Sequence, residues 1–204
     1  NLRAEIPHWD FNKTKAETQV KWNVELSKIN VTTLSLDDKR TFYSALYHTN
    51  LSPIIYEDVD GKYRGLDQNI HSSQGFTNYS IFSLWDTYRA LHPLFNITQT
   101  ERNNDMIKSM LAHHDESVHN MLPIWSHYAN ENWCMIGYHA TSVIADAMAK
   151  NVGDFNHERA LQASVNTANV RYFDGLGDYI DYEYVPDNKS HSSVSKTLEY
   201  AYND

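Results

Sequence analysis

The sequence predicts an all-α fold built from helical hairpins. Apolar residues recur at intervals of three and four in several segments, and polar loops of some length separate those segments. At roughly 30 residues for each helix with its loop, the 204 residues hold about six or seven helices. These helices fit an array of helical hairpins with a small β-hairpin insertion, and a closed toroid of twelve helices would need about twice this length.

The first half of the chain is expected to form three helices and one hairpin. Val20 and Val24 lie at helical spacing in a segment from about Lys15 to Ile29, and Ser35 begins a second helix that runs to about His48. Residues 51–77 contain turn chemistry, centred on the Asp-Gly pair at 60–61, and predict a small hairpin. A third helix is expected from about Tyr79 to Leu91, with Pro93 ending it.

The second half of the chain is expected to form four further helices. The first begins near Thr100 and carries its apolar face on Met106, Ile107, Met110 and Leu111. The others are expected from about Met135 to Lys150, from a cap at Asp154 or Asn156 to about Tyr172, and from Ser192 onward, with residues 173–191 forming a loop. Because the last helical pattern reaches Asp204 without a cap or breaker, we expect the chain to be the beginning of a longer domain.

Composition excludes two classes of function. The net charge is −9, and Lys and Arg form no cluster, so a nucleic-acid partner is not expected. No apolar run approaches the roughly 20 residues that cross a bilayer, which argues against a membrane span. Cys134 is the only cysteine, and between two large apolar neighbours we interpret it as a buried, inert thiol rather than a nucleophile.

Two segments combine charged and aromatic residues that suit a sugar ligand. In the predicted hairpin, Arg64 and Asp67 are either solvated turn charges or ligand contacts on a loop. In the segment Phe82–Arg89, Asp86 and Arg89 are spaced for a structural ion pair. The alternative is that Trp85 offers an aromatic plane to the C–H face of a sugar, with Asp86 accepting hydrogen bonds from its hydroxyls.

Glu131 is the candidate proton donor. It lies between Trp125 and Trp133, and shielding by those rings would raise its pKa, as a general acid requires. A Glu at the start of a helix would instead have a lowered pKa, because the helix dipole stabilises the carboxylate. The two interpretations therefore predict opposite shifts.

The histidines give little support for a metal site. In the run His113, His114, Asp115 and His119, only Asp115 and His119 would share one face of a helix. No His-Glu-x-x-His arrangement and no cysteine pair accompanies them. The ligands of any metal are left unknown.

Several motifs together resemble glycoside hydrolase family 92, over nearly the whole chain from about Glu5 to Tyr202. The motifs are Phe42–Thr49, Asp60–Gly65, Phe82–Arg89, His92–Leu94, Leu122–Trp125, Cys134–His139 and Ala145–Ala147. Members of this family are calcium-dependent exo-α-mannosidases that invert the anomeric centre and are commonly secreted or periplasmic proteins of gut bacteria. They join a β-sandwich to a C-terminal (α/α)6 toroid.

The resemblance implies that residues 1–204 are the N-terminal part of the toroid, without the β-sandwich that precedes it. It implies that Glu131 is the general acid and that Trp85 and Asp86 contact the terminal mannose of a glycan, with Arg64 and His139 as further substrate contacts. The general base and most Ca²⁺ ligands would lie beyond Asp204. The isolated chain would then be inactive, and its exposed apolar faces would drive self-association. Two alternatives remain open, another helical-toroid glycosidase or lyase and a non-catalytic carbohydrate-binding helical scaffold.

Overall fold

The computed structural model describes residues 1–204, which form two compact units. The first comprises Asn1–Ser52 with Asp58–Asp60, and the second comprises Pro53–Glu57 with Gly61–Asp204. Helices dominate both units and the strands are short, so the predicted all-α class is confirmed.

The first unit contains α1 (Leu2–Glu5), α2 (Phe11–Leu26) and α3 (Leu36–Thr49). The predicted cap of α3 is confirmed, because Ser35 Oγ accepts a hydrogen bond from the Asp38 N–H at 3.1 Å. Helix α2 begins earlier than expected, since Asp10 caps it in the same way. None of the residues of α2 is buried.

The second unit contains seven helices around two apolar clusters. They are α4 (Leu84–Thr87), α5 (Leu91–Thr98), α6 (Thr100–Glu116), α7 (Ala140–Ala149), α8 (His157–Ala168), α9 (Leu176–Tyr182) and α10 (Ser193–Asn203). Helix α6 packs against α5, α7 and α8, and the predicted apolar face from Met106 to Leu111 is buried there. The second cluster surrounds Phe173 and Tyr200. The Asn156 cap of α8 is confirmed as well.

Three antiparallel strand pairs accompany these helices. Strands β2 (Lys62–Arg64) and β3 (Ile70–Ser72) form a hairpin within the predicted segment, but residues 65–69 make its turn. The predicted turn at Asp60-Gly61 lies before β2 instead, with Gly61 at φ +74°. Strands β1 (Ile54–Ile55) and β4 (Tyr79–Ser80) pair beside the hairpin, and β5 (Phe82–Ser83) pairs with β6 (Trp125–Ser126). The last pair joins residues more than 40 positions apart and was not predicted.

The predicted helix from Tyr79 to Leu91 is wrong. Residues 79–83 are extended, with Ile81 in the left-handed region at φ +66°, and only the short α4 follows them. Pro93 does not end a helix, because it is the third residue of α5. In a first turn the missing N–H of proline has no helical acceptor to lose.

Two further boundaries differ from the expectations. Helix α7 begins at Ala140 rather than Met135, after Trp133 and Gly137 with positive φ angles of 53° and 80°. The segment 173–191 was expected to be a loop but contains α9. This helix begins after Gly175, at φ +84°, and ends at Glu183, at φ +63°, so left-handed residues delimit it at both ends.

Exposed apolar residues were also predicted, and α10 presents them in a row. Val194, Leu198 and Tyr202 recur every four residues and are 72%, 65% and 62% exposed. They therefore share one outer face of α10. No helix in the structure has both the length and the apolar character required to cross a membrane.

Candidate active site

The pairing of β5 with β6 brings two predicted clusters together. Ser83 lies opposite Trp125, and the Leu84 N–H, at the start of α4, donates to the Ile124 carbonyl at 3.4 Å. Because Trp85 and Asp86 follow on α4, they lie next to the loop that carries Glu131. A two-residue strand pair therefore sets the geometry of the candidate site.

Glu131 holds its own loop closed. Its Oε1 accepts hydrogen bonds from the N–H groups of Trp125 at 2.8 Å and Trp133 at 2.9 Å, and its Oε2 accepts one from Ile124 at 3.0 Å. Glu131 also pairs with Ser126 as an isolated antiparallel bridge. The side chain is buried, so these bonds replace those it would make with water.

Burial and backbone hydrogen bonds shift the pKa of the Glu131 carboxyl in opposite directions. Burial raises the pKa of Glu131, and the backbone N–H bonds of Trp133, Ile124 and Trp125 oppose the rise without cancelling it. The helix-start interpretation is wrong, because α7 begins nine residues later, at Ala140. The raised pKa has the direction that a general acid requires.

His113 adds no positive charge beside Glu131. Its Nε2 lies 3.5 Å from Glu131 Oε2, and burial, assisted by the neighbouring His114, lowers the pKa of His113 to about 3. The imidazole is therefore neutral near pH 7. A neutral neighbour leaves the raised pKa of Glu131 in place, whereas a cation would lower it.

Trp85 and His139 meet at a carboxylate that the sequence analysis missed, Glu199 of α10. The Trp85 indole Nε1–H donates to Glu199 Oε1 at 3.1 Å, and His139 Nε2 lies 3.0 Å from Glu199 Oε2. Tyr88 and Arg89 approach the same carboxylate, both at 3.4 Å. Glu199 lies 60 residues after His139 in an ordinary amphipathic helix, so no local pattern distinguished it.

His139 is a buried and neutral histidine. It precedes the first residue of α7, and its ring stacks on that of Tyr88 with centroids 3.8 Å apart and planes within 4°. Burial lowers the pKa of His139 to about 4, although the nearby Glu199 opposes that shift. Asn203 Nδ2 lies 2.9 Å from His139 Nδ1 and donates to it, which assigns the ring proton to Nε2, facing Glu199.

The predicted ion pair between Asp86 and Arg89 is wrong. Arg89 turns towards Glu199, while Asp86 accepts a hydrogen bond from the Ser83 hydroxyl. Asp86 is exposed and the neighbouring Trp85 is 37% exposed. An indole and a carboxylate therefore reach solvent side by side, which is the arrangement the sugar-platform interpretation requires.

Arg64 lies on the hairpin rather than beside Trp85. Its guanidinium donates to the Gln68 carbonyl at 2.7 Å, and the Gln68 amide donates to the Ala129 carbonyl at 3.0 Å, in the loop of Glu131. Asp67 bonds His71 at 3.0 Å and Asn69, which lowers the pKa of Asp67 to about 2. The hydrogen bonds of Asp67 therefore stabilise the hairpin.

The remaining candidates do not form a site. No group of three or more His, Cys, Asp or Glu side chains is arranged to hold a metal ion. Asp115 pairs with Arg159, and His119, beyond the end of α6, bonds the Tyr172 hydroxyl at 2.8 Å. Cys134 is exposed, so its interpretation as a buried thiol is wrong.

The chain matches the model of the glycosyl hydrolase family 92 catalytic domain over residues 1–204. A curated relative, an uncharacterized secreted glycosidase of Arthroderma benhamiae, is 27% identical over the whole chain, which covers 24% of that protein.

Solved structures give closer matches. The family GH92 α-mannosidase BT3965 from Bacteroides thetaiotaomicron is 52% identical, with a TM-score of 0.94 over 98% of this chain and 27% of that one. It has also been solved in complex with mannoimidazole. The family GH92 inverting mannosidase BT2199 of the same species is 29% identical over 98% of this chain and 28% of that one, with a TM-score of 0.88. This chain spans about a quarter of the length of these relatives.

Proposed function

Because this chain belongs to glycosyl hydrolase family 92, we propose that it is the N-terminal part of the helical catalytic domain of an inverting exo-α-mannosidase. The observation that carries the proposal is Glu131, a buried carboxyl with a raised pKa. It lies on a loop paired with the strand that leads to Trp85 and Asp86. The substrates are glycans with terminal α-mannose.

In this mechanism, Glu131 donates a proton to the glycosidic oxygen as the bond to the mannose breaks. An inverting enzyme also needs a carboxylate that activates water on the opposite face of the sugar, about 6.5–9.5 Å from the acid. Trp85 stacks on the terminal mannose and Asp86 accepts hydrogen bonds from the hydroxyls of that sugar. His139 is buried beside Glu199. Arg64 supplies a further contact from the hairpin. We place the base outside residues 1–204.

Calcium and the remaining domains belong to the same proposal. The acidic side chains of residues 1–204 are not clustered as Ca²⁺ ligands, so we expect the ligands mostly elsewhere in a longer protein. Bound Ca²⁺ would supply Lewis-acid coordination of sugar hydroxyls. The roughly fourfold greater length of the relatives supports a complete (α/α)6 toroid with a preceding β-sandwich. The Arthroderma benhamiae relative described as secreted supports a secreted or otherwise exported protein, and the Bacteroides thetaiotaomicron relatives support a bacterial source.

A second candidate function is a non-catalytic carbohydrate-binding scaffold. The three N–H bonds that Glu131 accepts favour it, because such bonds are typical of a carboxylate that fixes a loop. A scaffold would tolerate loss of the Glu131 proton without loss of sugar binding. Hydrolysis by the longer protein would exclude it.

Residues 1–204 alone are expected not to hydrolyse an aryl α-mannoside at an enzymatic rate. The acid without the base leaves water unactivated, so the longer protein should turn over and this chain should not. Release of the aryl alcohol, measured for both proteins with Ca²⁺ and with a chelator, tests this. Robust Ca²⁺-dependent turnover by residues 1–204 would mean that the base lies within them.

Residues 1–204 are also expected to self-associate through the apolar face of α10 defined by Val194, Leu198 and Tyr202. Exposed apolar faces of this kind bury themselves against a second copy when no other partner is present. Leu198→Lys should shift sedimentation velocity profiles towards the monomer. Ser195→Lys adds the same charge to the same helix at an exposed polar position and is the matched control. Equal profiles for both variants would locate the association elsewhere.

A further inference from the structure

We propose that Glu199 is a positioning residue of the sugar-binding site, which orients Trp85 without touching the sugar itself. The inference rests on the proposed function for the role of Trp85 in binding mannose. The orientation of Trp85 by Glu199 stands on the geometry alone.

Protein groups surround the carboxylate of Glu199. Trp85 Nε1 and Arg89 donate to Oε1 at 3.1 and 3.4 Å, and the Tyr88 hydroxyl donates to Oε2 at 3.4 Å. His139 Nε2 lies 3.0 Å from Oε2 but does not form a hydrogen bond with it. The side chain is only 12% exposed. A sugar hydroxyl would therefore have to displace one of these groups to reach Glu199.

His139 is held through Nδ1 by Asn203, one turn after Glu199 on α10. Asn203 donates to Nδ1 at 2.9 Å, whereas Nε2 lies 3.0 Å from Glu199 without a hydrogen bond. Asn203 is itself fixed, because its Oδ1 accepts the Tyr138 N–H and its amide also donates to the Ser142 hydroxyl, both at 2.9 Å. Asn203 therefore assigns the ring proton of His139 to Nε2, and the role of Glu199 is carried by its bond to Trp85.

Trp85 depends on the same carboxylate. Its indole is partly exposed at the start of α4, and the Nε1–H bond to Glu199 ties it to α10, more than 110 residues away in sequence. A sugar stacks on an aromatic ring only where the ring presents its face, so loss of this bond lets the platform turn. Placement of Trp85 is thus decided by α10 rather than by α4.

Glu199→Gln tests the proposal in the longer protein that contains this chain. The amide has the size of the carboxyl but offers one neutral acceptor oxygen in place of two charged ones, so the charge-assisted hydrogen bond from the Trp85 indole is weakened. We expect kcat/KM for an aryl α-mannoside to fall about 10- to 100-fold, mostly through KM, as for other residues that orient a binding group. Glu158→Gln, at an exposed position in the first turn of α8, is the matched control and should change neither constant.

Two further measurements isolate the positioning role. Nitrogen-15 NMR of the Trp85 indole Nε1–H should show a shifted resonance in Glu199→Gln, because its acceptor has changed. Trp85→Phe removes the indole donor but keeps Glu199, and it should raise KM by itself. The double variant Trp85→Phe/Glu199→Gln should raise KM by less than the product of the two single increases, because both remove one interaction. If Glu199→Gln fails to fold, as its thermal unfolding would reveal, an unchanged KM in Trp85→Phe would overturn the proposal.

The outcomes separate this proposal from the function on which it rests. Unchanged kinetics and an unchanged Trp85 indole resonance in Glu199→Gln, with an active wild type, would overturn the positioning role. Fully multiplicative effects on KM in the double variant would show that Glu199 does not act through Trp85 and would also overturn it. A wild type without α-mannosidase activity, but with the expected change in the indole resonance, would refute the proposed function and leave the orientation of Trp85 by Glu199 supported.

Discussion

Glu131→Gln in the longer protein is expected to lower kcat/KM for an unactivated α-mannoside by about 10²- to 10⁴-fold, the usual contribution of a positioned proton donor. Gln has the size of Glu but no acidic proton, so the leaving oxygen would depart as an alkoxide. Initial rates with a mannose disaccharide measure the effect. Glu101→Gln, at an exposed position in the first turn of α6, should leave the rate unchanged.

The choice of leaving group distinguishes loss of proton donation from disruption of the Glu131 loop. The Gln amide meets one of the three backbone N–H groups with its own donor, so the loop of Glu131 loses a hydrogen bond, at a cost of about 1–3 kcal/mol of stability. A substrate with an acidic aryl alcohol needs little protonation and should recover most of the rate. If the aryl mannoside is hydrolysed as poorly as the disaccharide, Glu131 is a structural residue.

The pH dependence of the rate gives a second criterion. An acid acts in its protonated form, so the rate falls as the pH rises through its pKa. Because burial raises the pKa of Glu131, the fall should come above the usual range of a glutamic acid. In Glu131→Gln this basic limb should disappear for a substrate whose leaving group requires a proton. A variant that retains both the rate and the limb would place the acid at another residue.

Asp174→Ala is expected to destabilise the protein by about 3–5 kcal/mol, because it leaves a charged Lys196 buried without its partner. Lys196 of α10 is fully buried, and its ammonium lies 2.5 Å from Asp174 Oδ1 and 2.7 Å from Ser190 Oγ. The cost is a large share of the roughly 5–15 kcal/mol that stabilise a typical domain. Urea unfolding followed by circular dichroism measures it.

Replacement of Lys196 instead of Asp174 is expected to destabilise the protein less. Lys196→Met removes the buried charge and keeps an apolar chain of similar volume, and the abandoned Asp174 is 30% exposed and retains contact with water. Asp187→Ala, an exposed change in the same stretch of chain, should have almost no effect. If Asp174→Ala and Lys196→Met lower the free energy of unfolding equally, the stability comes from the interaction between Asp174 and Lys196. The penalty for an ammonium buried without a partner would then not explain the effect of Asp174→Ala.

Local sequence patterns predicted correctly those elements that depend on residues close together in the chain. The caps at Ser35 and Asn156 and the apolar face of α6 follow from contacts within a few positions, and the structure confirms them. Pairing between segments that are far apart in the chain leaves no such pattern in the local sequence. The pattern from Tyr79 to Leu91 resembles a helix. Its first part is a strand instead, because it pairs with Trp125 and Ser126.

The sequence by itself determined the all-α class, most helices and the set of aromatic and acidic residues from which the candidate site is built. The tertiary structure alone decided which of them meet. It brought Glu199 of α10 to Trp85 and His139, turned Arg89 away from Asp86, and paired the strand before Trp85 with the strand that precedes the loop of Glu131. The physical reason is range, because helix periodicity and capping involve neighbours within four residues. That strand pair and the donors to the Glu199 carboxylate join segments from more than 40 to 114 residues apart, and only packing of the whole unit fixes them.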